Sequence, residues 1–567
     1  MPYTFAIVGG GLTATSMLCQ LVDKLHQMSK KGYHLADTLT IVVFEKQAVF
    51  GPGLPHSDQY VLPFHITNMC AKDMSVRRKN PGEFQDWVQQ NREALEIRHP
   101  ELIKPLASPE NQPSHCLHYP RAVMGEYLKS QFSEAVEAAR EMGVHVKLYP
   151  YCEVTDLYEH EEHVYLKFTE NSETASKRCK ADSVLLATGH WSETSEAENY
   201  FSSPWPASKL LSSIPAAETI GVIGTSLSAI EVALTLTSDG QFIRQPSGEL
   251  SYFPSGSTRK LVLYSRNGLL PRVRGQLGPR QNRYLSCQYI RKLIKDNPGQ
   301  LTLSVIFELL DRELTEAYGR AVDWHRIISP TGDTIQILEQ DIRNAQLGDG
   351  PDGALIWQTI LVQIFPVARD IYLNLTLAER KRFDRHFTTL FFMHAATQPI
   401  INAEKLLALM RCGIVSIVKL GSDYQFACND ATSTFEFIYK GPAGDTQSDS
   451  YHYVVNARGQ PRSLNSDRAA LTRNLIQKKL IQIEETRFVM PAEHISYKTG
   501  SAVVDPKTHQ VIRPGYQRNS LSKPALFAVG AMTRGQMIDA SMAYGITQST
   551  AVITDDLITQ LCAENDT

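Results

Sequence analysis

Residues 3–16 read Tyr-Thr-Phe-Ala-Ile-Val-Gly-Gly-Gly-Leu-Thr-Ala-Thr-Ser, an apolar run that meets three glycines. A helical pattern of Met17, Leu18, Leu21, Val22 and Leu25 follows directly. This order predicts a strand, a tight turn and a helix. Gly9 permits the turn, Gly11 lets backbone approach a pyrophosphate, and Ala14 keeps the helix close to the strand. The helix would face those phosphates with its free N–H groups and the positive end of its dipole.

Outward from this unit, Leu39-Thr40-Ile41-Val42-Val43-Phe44-Glu45 reads as a buried parallel strand that ends in an acid. A carboxylate there can accept hydrogen bonds from an adenosine ribose. Glu45 lies 34 residues beyond Gly11, more than the usual spacing of about 20. The polar segment from Met28 to Thr38 absorbs the excess as a longer helix and loop. Phe50-Gly51-Pro52-Gly53-Leu54-Pro55-His56 comes next, where Gly51 and Gly53 allow backbone to pass close to a ligand.

The same logic recurs at Ile220-Gly221-Val222-Ile223-Gly224-Thr225-Ser226-Leu227-Ser228-Ala229, with Gly224, Ser226 and Ala229 in the fingerprint positions. Serine departs from the strict pattern but is small enough for close approach. The strand Lys260 to Arg266 ends without an acid. Ser265 and Arg266 instead offer a hydroxyl and a guanidinium where an adenosine 2′-phosphate would lie, which favours NADPH over NADH. The plainer alternative is that Arg266 only solvates a loop.

Several elements together resemble a known group. They are the glycine pair after Glu45, the stretch His65-Ile66-Thr67-Asn68-Met69, Tyr119-Pro120-Arg121 with Gly125 and Tyr127-Leu128, and Val184-Leu185-Leu186-Ala187-Thr188-Gly189. The group is the FAD/NAD(P)-binding flavoproteins allied to class B and N-hydroxylating flavin monooxygenases. The resemblance implies that FAD binds at Gly9, Gly11, Ala14 and Glu45, with Gly51, Gly53, Asn68, Arg121 and Gly189 also at the cofactor. It implies further that the strand Ala525 to Gly530 returns to the FAD domain and brings Gly530 near the flavin. Ala531 stands where the group carries an acid.

The fold expected is α/β, with two Rossmann-like dinucleotide-binding domains and a helical insertion. Residues 1–200 and 485–567 would form the FAD domain, and 215–280 with 411–484 the NAD(P) domain. Between them, 281–410 carries amphipathic helical patterns and would cover the active site. Within it, His394 and Gln398 are polar residues in the apolar stretch Phe391 to Gln398. His394 is the candidate pocket residue, against the plainer reading of a hydrogen-bonded core histidine.

Bulk properties exclude other classes. A net charge of −3 gives no electrostatic reason to expect nucleic acid or an anionic membrane as partner. No run of eighteen apolar residues suits a membrane span, and the N-terminus lacks the basic region of a secretory signal. The nine cysteines are scattered and include no CxxC pair, which fits neither a disulfide framework nor a thiolate metal site. Inert thiols and a cytoplasmic setting are the expectation. The absence of a close thiol pair also counts against a dithiol reductase.

The function that follows from the resemblance is an FAD-dependent, NADPH-using monooxygenase. Its substrate would be a small nucleophilic, amine-like molecule, oxidised through a flavin C4a-hydroperoxide. Two rivals stand beside it: an NAD(P)H-dependent flavin reductase or dehydrogenase, and a non-catalytic FAD-binding sensor. No catalytic acid, base or metal site stands out in the sequence.

Overall fold

The computed structural model describes residues 2–100, 117–171, 175–192, 197–323, 330, 332–350, 352–429, 432–461, 463–490, 493–513 and 525–565. The first unit begins with β1 (Tyr3–Val8), α1 (Leu12–Ser29) and β2 (Leu39–Phe44). Then come α2 (Arg121–Glu141), β3 (His145–Tyr149), β4 (Cys152–His160), β5 (His163–Glu170), β6 (Ser176–Ala181) and β7 (Ser183–Leu186). The second unit holds β8 (Tyr200–Phe201), β9 (Thr219–Ile223), α3 (Leu227–Leu236), and the hairpin β10 (Gln241–Arg244) with β11 (Leu250–Phe253). It continues through β12 (Lys260–Ser265), β13 (Val415–Lys419), β14 (Gln425–Asn429), β15 (Thr434–Lys440), β16 (Thr446–Tyr451) and β17 (Tyr453–Asn456). The chain closes with α4 (Ala470–Gln477), β18 (Ile483–Met490), β19 (Glu493–Ala502), β20 (Ala525–Ala528) and α5 (Ala543–Asn565).

Two five-stranded sheets organise the molecule, in the orders β20-β7-β1-β2-β3 and β13-β12-β9-β17-β8. Every pairing within them is parallel. Both carry helices on one face and a three-stranded antiparallel meander, β4-β5-β6 or β14-β15-β16, beside the other.

The strand sequences account for this sandwich. Along β1, Tyr3, Phe5 and Ile7 enter the core with α1, α2 and α5, while Ala6 and Val8 enter the core with the meander. That alternation is the two-residue period of a strand buried on both faces. In β12, Leu261 and Leu263 face the helices, and Val262 and Tyr264 face the aromatic meander core around Phe435 and Phe437. Gly221 in β9 is needed there, because a Cβ would lie 2.9 Å from the Tyr451 ring.

Between β12 and β13 the described residues form helices, among them Cys287–Asp296, Leu303–Tyr318, Thr334–Leu347, Phe365–Asn374 and Ile400–Arg411. Glu313 is fully buried here, and it accepts hydrogen bonds from the backbone N–H groups of Arg283, Tyr284 and Leu285. After β17 the chain returns to the first sheet, where Leu464, Leu471, Leu475 and Ile481 pack into the meander-side core. β20 then pairs with β7 at the sheet edge.

Candidate functional site

Each parallel sheet has one point where strand order reverses, between β1 and β7 in the first and between β9 and β17 in the second. Ligands of open α/β sheets bind in the crevice at the carboxyl ends of the strands at such a point. Gly9 follows β1 with φ +106°, and a Cβ on it would sit 2.2 Å from the Ala187 carbonyl oxygen beyond β7. Gly224 follows β9 with φ +127°, and its Cβ would sit 2.7 Å from the Ala457 carbonyl oxygen beyond β17. The two turns are therefore built alike, each closed by the neighbouring strand across the reversal.

A cleft of about 320 Å³ opens at the first reversal point. Gly9, Glu45 and Lys46 line it beside Cys152 to Val154 of β4 and the Thr188-Gly189-His190-Trp191 turn. Its far wall comes from Trp205, from Gly459 and Gln460 beyond β17, and from Asp467 and Leu471. Helix α1 begins at Gly11 without a side-chain cap, so its first N–H groups are open to a ligand. Ala14 is fully buried against the strand.

Glu45 is buried, and its two oxygens accept hydrogen bonds from Gly10 N at 2.7 Å and Gln47 N at 2.8 Å. Each carboxylate oxygen keeps a further lone pair for a hydroxyl. Gly51 donates to the Gly10 carbonyl at 2.7 Å and sits against α2, where a Cβ would meet the Leu128 backbone at 2.7 Å. Gly53 lies beside Gly11, with 3.4 Å between the Gly53 Cα and a Cβ built on Gly11. Asn68 is half-buried. Gly189 has φ +71° and open space around it, while Gly530, at φ +89°, approaches Thr13 in the first turn of α1.

Arg121 joins the two units. Its Nη2 pairs at 2.7 Å with Glu231 Oε1 on α3, tying the first unit to the second. Burial pushes the Glu231 carboxyl up in spite of this partner, because desolvation outweighs the guanidinium's attraction. His65 reinforces the same junction, with Nε2 2.9 Å from Thr235 Oγ1 of α3. His56 and His190 nearby are held neutral, pushed down to about 3 and about 4 by burial and then by cationic neighbours that include Arg121.

At the second reversal point, Ser226 starts α3 without a side-chain cap, and Ala229 is fully buried behind it. Ser265 is used by its own turn: its Oγ accepts from Gly268 N at 3.0 Å and lies 3.0 Å from Thr225 Oγ1. Arg266 is exposed. None of Gly224, Ser226, Ala229, Ser265 and Arg266 lines the 320 Å³ cleft.

His394 does not line it either. The residue faces a separate cavity of about 20 Å³ beside Arg272 and Asp341, which pair at 3.0 Å. Its ring is buried edge-on to Trp357, and neither nitrogen has a hydrogen-bond partner among the described residues. Burial, then Arg272, pushes its pKa down to about 3. The hydrogen-bonded core histidine of the plainer reading is thus absent as such, although the burial is real.

Cys19 and Cys152 are buried thiols, and desolvation first of all pushes Cys19 up to about 12. Cys70 is disulfide-bonded, which corrects the expectation of thiols throughout. Among the described residues no group of three or more histidine, cysteine or acidic side chains could hold a metal ion, and no helix is long and apolar enough to cross a membrane. The sequence reading missed Trp205, the Arg121–Glu231 pair and Gln460. Only Gln460 had a usable signal, since it directly follows the strand-and-turn Tyr453 to Gly459.

Comparison with known proteins bears on the first unit. Residues 6–191 match the model of the FAD-NAD(P)-binding family. Over 482 residues the chain is 24% identical to the uncharacterized protein YdhS of Escherichia coli K12, covering 80% of this chain and 83% of that protein. Among solved structures, the reduced ornithine hydroxylase of Pseudomonas aeruginosa aligns with a TM-score of 0.49 at 11% identity, over 99% of this chain and 100% of its own. The L-lysine 6-monooxygenase of Pseudomonas syringae gives 0.47 at 12% identity, over 98% and 99%. The bacillithiol disulfide reductase of Bacillus cereus gives 0.40 at 11%, over 99% and 100%. Hydroxylases and a reductase share the trace this loosely, and neither assigns a reaction to this chain. The segment 6–191, which carries the glycine turn and the strand-end acid, is thus similar to the FAD-NAD(P)-binding family.

Proposed function

We propose that the protein is an FAD- and NADPH-dependent oxidoreductase, and that it works as a monooxygenase on a small amine-like substrate. The observation that carries the reading is the 320 Å³ cleft at the first strand reversal, lined by Gly9 and Glu45, with the uncapped start of α1 following two residues after Gly9. These residues fit an ADP moiety. Gly9 leaves no room for a side chain, the α1 N–H groups suit a pyrophosphate, and the spare lone pairs of Glu45 suit ribose hydroxyls. The second glycine turn at Gly224 repeats the design and suits the nicotinamide dinucleotide, with Arg266 exposed at the end of β12.

When bound, FAD supplies hydride acceptance and oxygen activation, chemistry that no side chain here can supply. The chain's own part is to orient and to exclude water. His56 and His190 are neutral around the junction, so neither imidazole adds positive charge there. His394 is kept as the proposed pocket residue of the insertion, in the small cavity beside Arg272 and Asp341 and apart from the 320 Å³ cleft.

Stopped-flow spectroscopy tests the reading. Anaerobic protein mixed with NADPH should lose the visible absorbance of its oxidised flavin. The reduced protein mixed with oxygen should then show a long-lived transient before oxidised flavin returns. Immediate return of oxidised flavin points to a reductase or oxidase, and failure of NADPH to bleach the flavin points to a sensor. Arg266→Ala should weaken NADPH by about 1.5–3 kcal/mol and leave NADH nearly unchanged. Equal loss for both would give Arg266 a structural role.

A further inference from the structure

Three buried side-chain polar atoms on the cleft wall have no hydrogen-bond partner among the described residues: Gln460 Nε2, Gln460 Oε1 and Trp205 Nε1. Leaving a buried donor or acceptor unpaired is destabilising, so a carboxamide unpartnered at both ends needs a reason. Its backbone is not loose. Arg458 N and Nε both donate to Asn456 Oδ1, at 3.3 and 3.1 Å, and Gly459 turns the chain with φ +83°. Arg534 Nη1 then donates to the Gln460 carbonyl at 3.2 Å. The loop that ends the central part of the second sheet is therefore held from two sides, and it presents Gln460 to a cleft floored by the first sheet.

A carboxamide with both ends open complements a planar edge that carries a donor and an acceptor side by side. A phosphate offers acceptors only. A ribose hydroxyl has no fixed plane, and Glu45 already suits it. The N6/N7 edge of adenine matches, and glutamine reads that edge in a bidentate manner. The Trp205 N–H is a further open donor, suited to another adenine ring nitrogen.

We propose that Gln460 reads the adenine edge of a dinucleotide held in the cleft, so that the second unit supplies the base-specificity residue of the first unit's site. This rests on the dinucleotide reading above. FAD and NADPH both carry adenine, and the two arms of the experiment tell them apart.

Apoprotein is titrated with FAD and with its hypoxanthine analogue, in which a carbonyl replaces the 6-amino group, and binding is read from flavin fluorescence. Flavin-loaded protein is titrated likewise with NADP+ and with its hypoxanthine analogue. Wild-type protein should favour the adenine member of one pair by about 5- to 150-fold, the range for a bidentate contact. Discrimination in the FAD pair makes FAD the source, and discrimination in the other pair makes it NADPH. Gln460→Ala should abolish that preference by weakening the adenine form to the level of its analogue. Gln460→Met, which keeps the length without a strong donor or acceptor, should do the same if the alanine variant is insoluble. Equal binding of both members of both pairs by wild type overturns the assignment, as does a preference that survives in the variants. Failure of wild type to bind either FAD or NADP+ overturns the dinucleotide reading itself, and this assignment with it.

Discussion

Gly9 and Gly189 flank the same cleft, and both adopt positive φ, yet they differ in what surrounds them. At Gly9 a Cβ would lie 2.2 Å from the Ala187 carbonyl oxygen, whereas at Gly189 nothing lies within 4 Å. Gly189→Ala should cost only the left-handed backbone penalty, on the order of 1 kcal/mol, and keep its flavin. Gly9→Ala adds a backbone collision to similar strain, so the turn must move and the pyrophosphate cradle with it. The expected outcome is yellow Gly189→Ala protein beside colourless Gly9→Ala protein, checked by absorbance per protein after gel filtration. Equal flavin content in the two would mean that the Ala187 contact does not shape the site. These positions were legible because glycine is the local signature of a turn. Ser265 was less so. Its place at a strand end suggested a ligand contact, but the hydroxyl serves Gly268 N, a contact decided by turn geometry that sequence spacing does not encode.

At the scale of elements, α2 and α3 meet through one buried ion pair. Arg121 opens α2 directly after Pro120, and Glu231 lies on the second turn of α3. The acceptor Glu231 Oε2 and the donor Arg121 Nε have no other partner. Removing one member of such a pair strands the other charge and costs about 3–5 kcal/mol, whereas replacing both by apolar residues is often close to neutral. Glu231→Ala should therefore lower the urea midpoint strongly, and Arg121→Met combined with Glu231→Leu should recover most of it. A double variant no better than Glu231→Ala would show that the pair is not the source of the loss. Strands, helices and both glycine turns were readable because each has a local period or punctuation. The ion pair was not, since it joins residues 110 positions apart with no pattern between them. Arg121 stood out in the sequence as a cofactor residue through its neighbours, and its acidic partner lies in the other unit. Gln460 escaped for the same reason: its role depends on a cleft whose floor is set by residues 9 and 45.

Across the whole molecule, buried neutral histidines link stability to pH. His65, His394 and His509 are buried, and each is pushed from 6.5 down to about 3, first by desolvation and then by nearby cations. In the unfolded chain they take up protons below about pH 6.5, while in the folded chain they stay neutral. The stability they contribute is fully present above 6.5 and is lost as pH falls toward their folded values. At pH 5.5 each has given up on the order of 1 kcal/mol relative to pH 7.5. Asp341 opposes this. Burial raises it to about 6 against the pull of Arg272, so it binds protons more readily when folded and returns somewhat less than about 1 kcal/mol over the same interval. His56, His118 and His190, also held down first by burial, add to the loss, which counts against the ~5–15 kcal/mol that keeps a domain folded. His394→Leu isolates one contributor. With both ring nitrogens unpartnered, its replacement by an apolar side chain should stabilise the protein by about 1 kcal/mol at pH 7.5. At pH 5.5 the advantage should grow by a further amount on the order of 1 kcal/mol, because the protonation penalty disappears as well. Urea denaturation of wild type and variant at both pH values checks this, and an advantage that stays constant with pH would show that His394 is not held neutral in the folded protein.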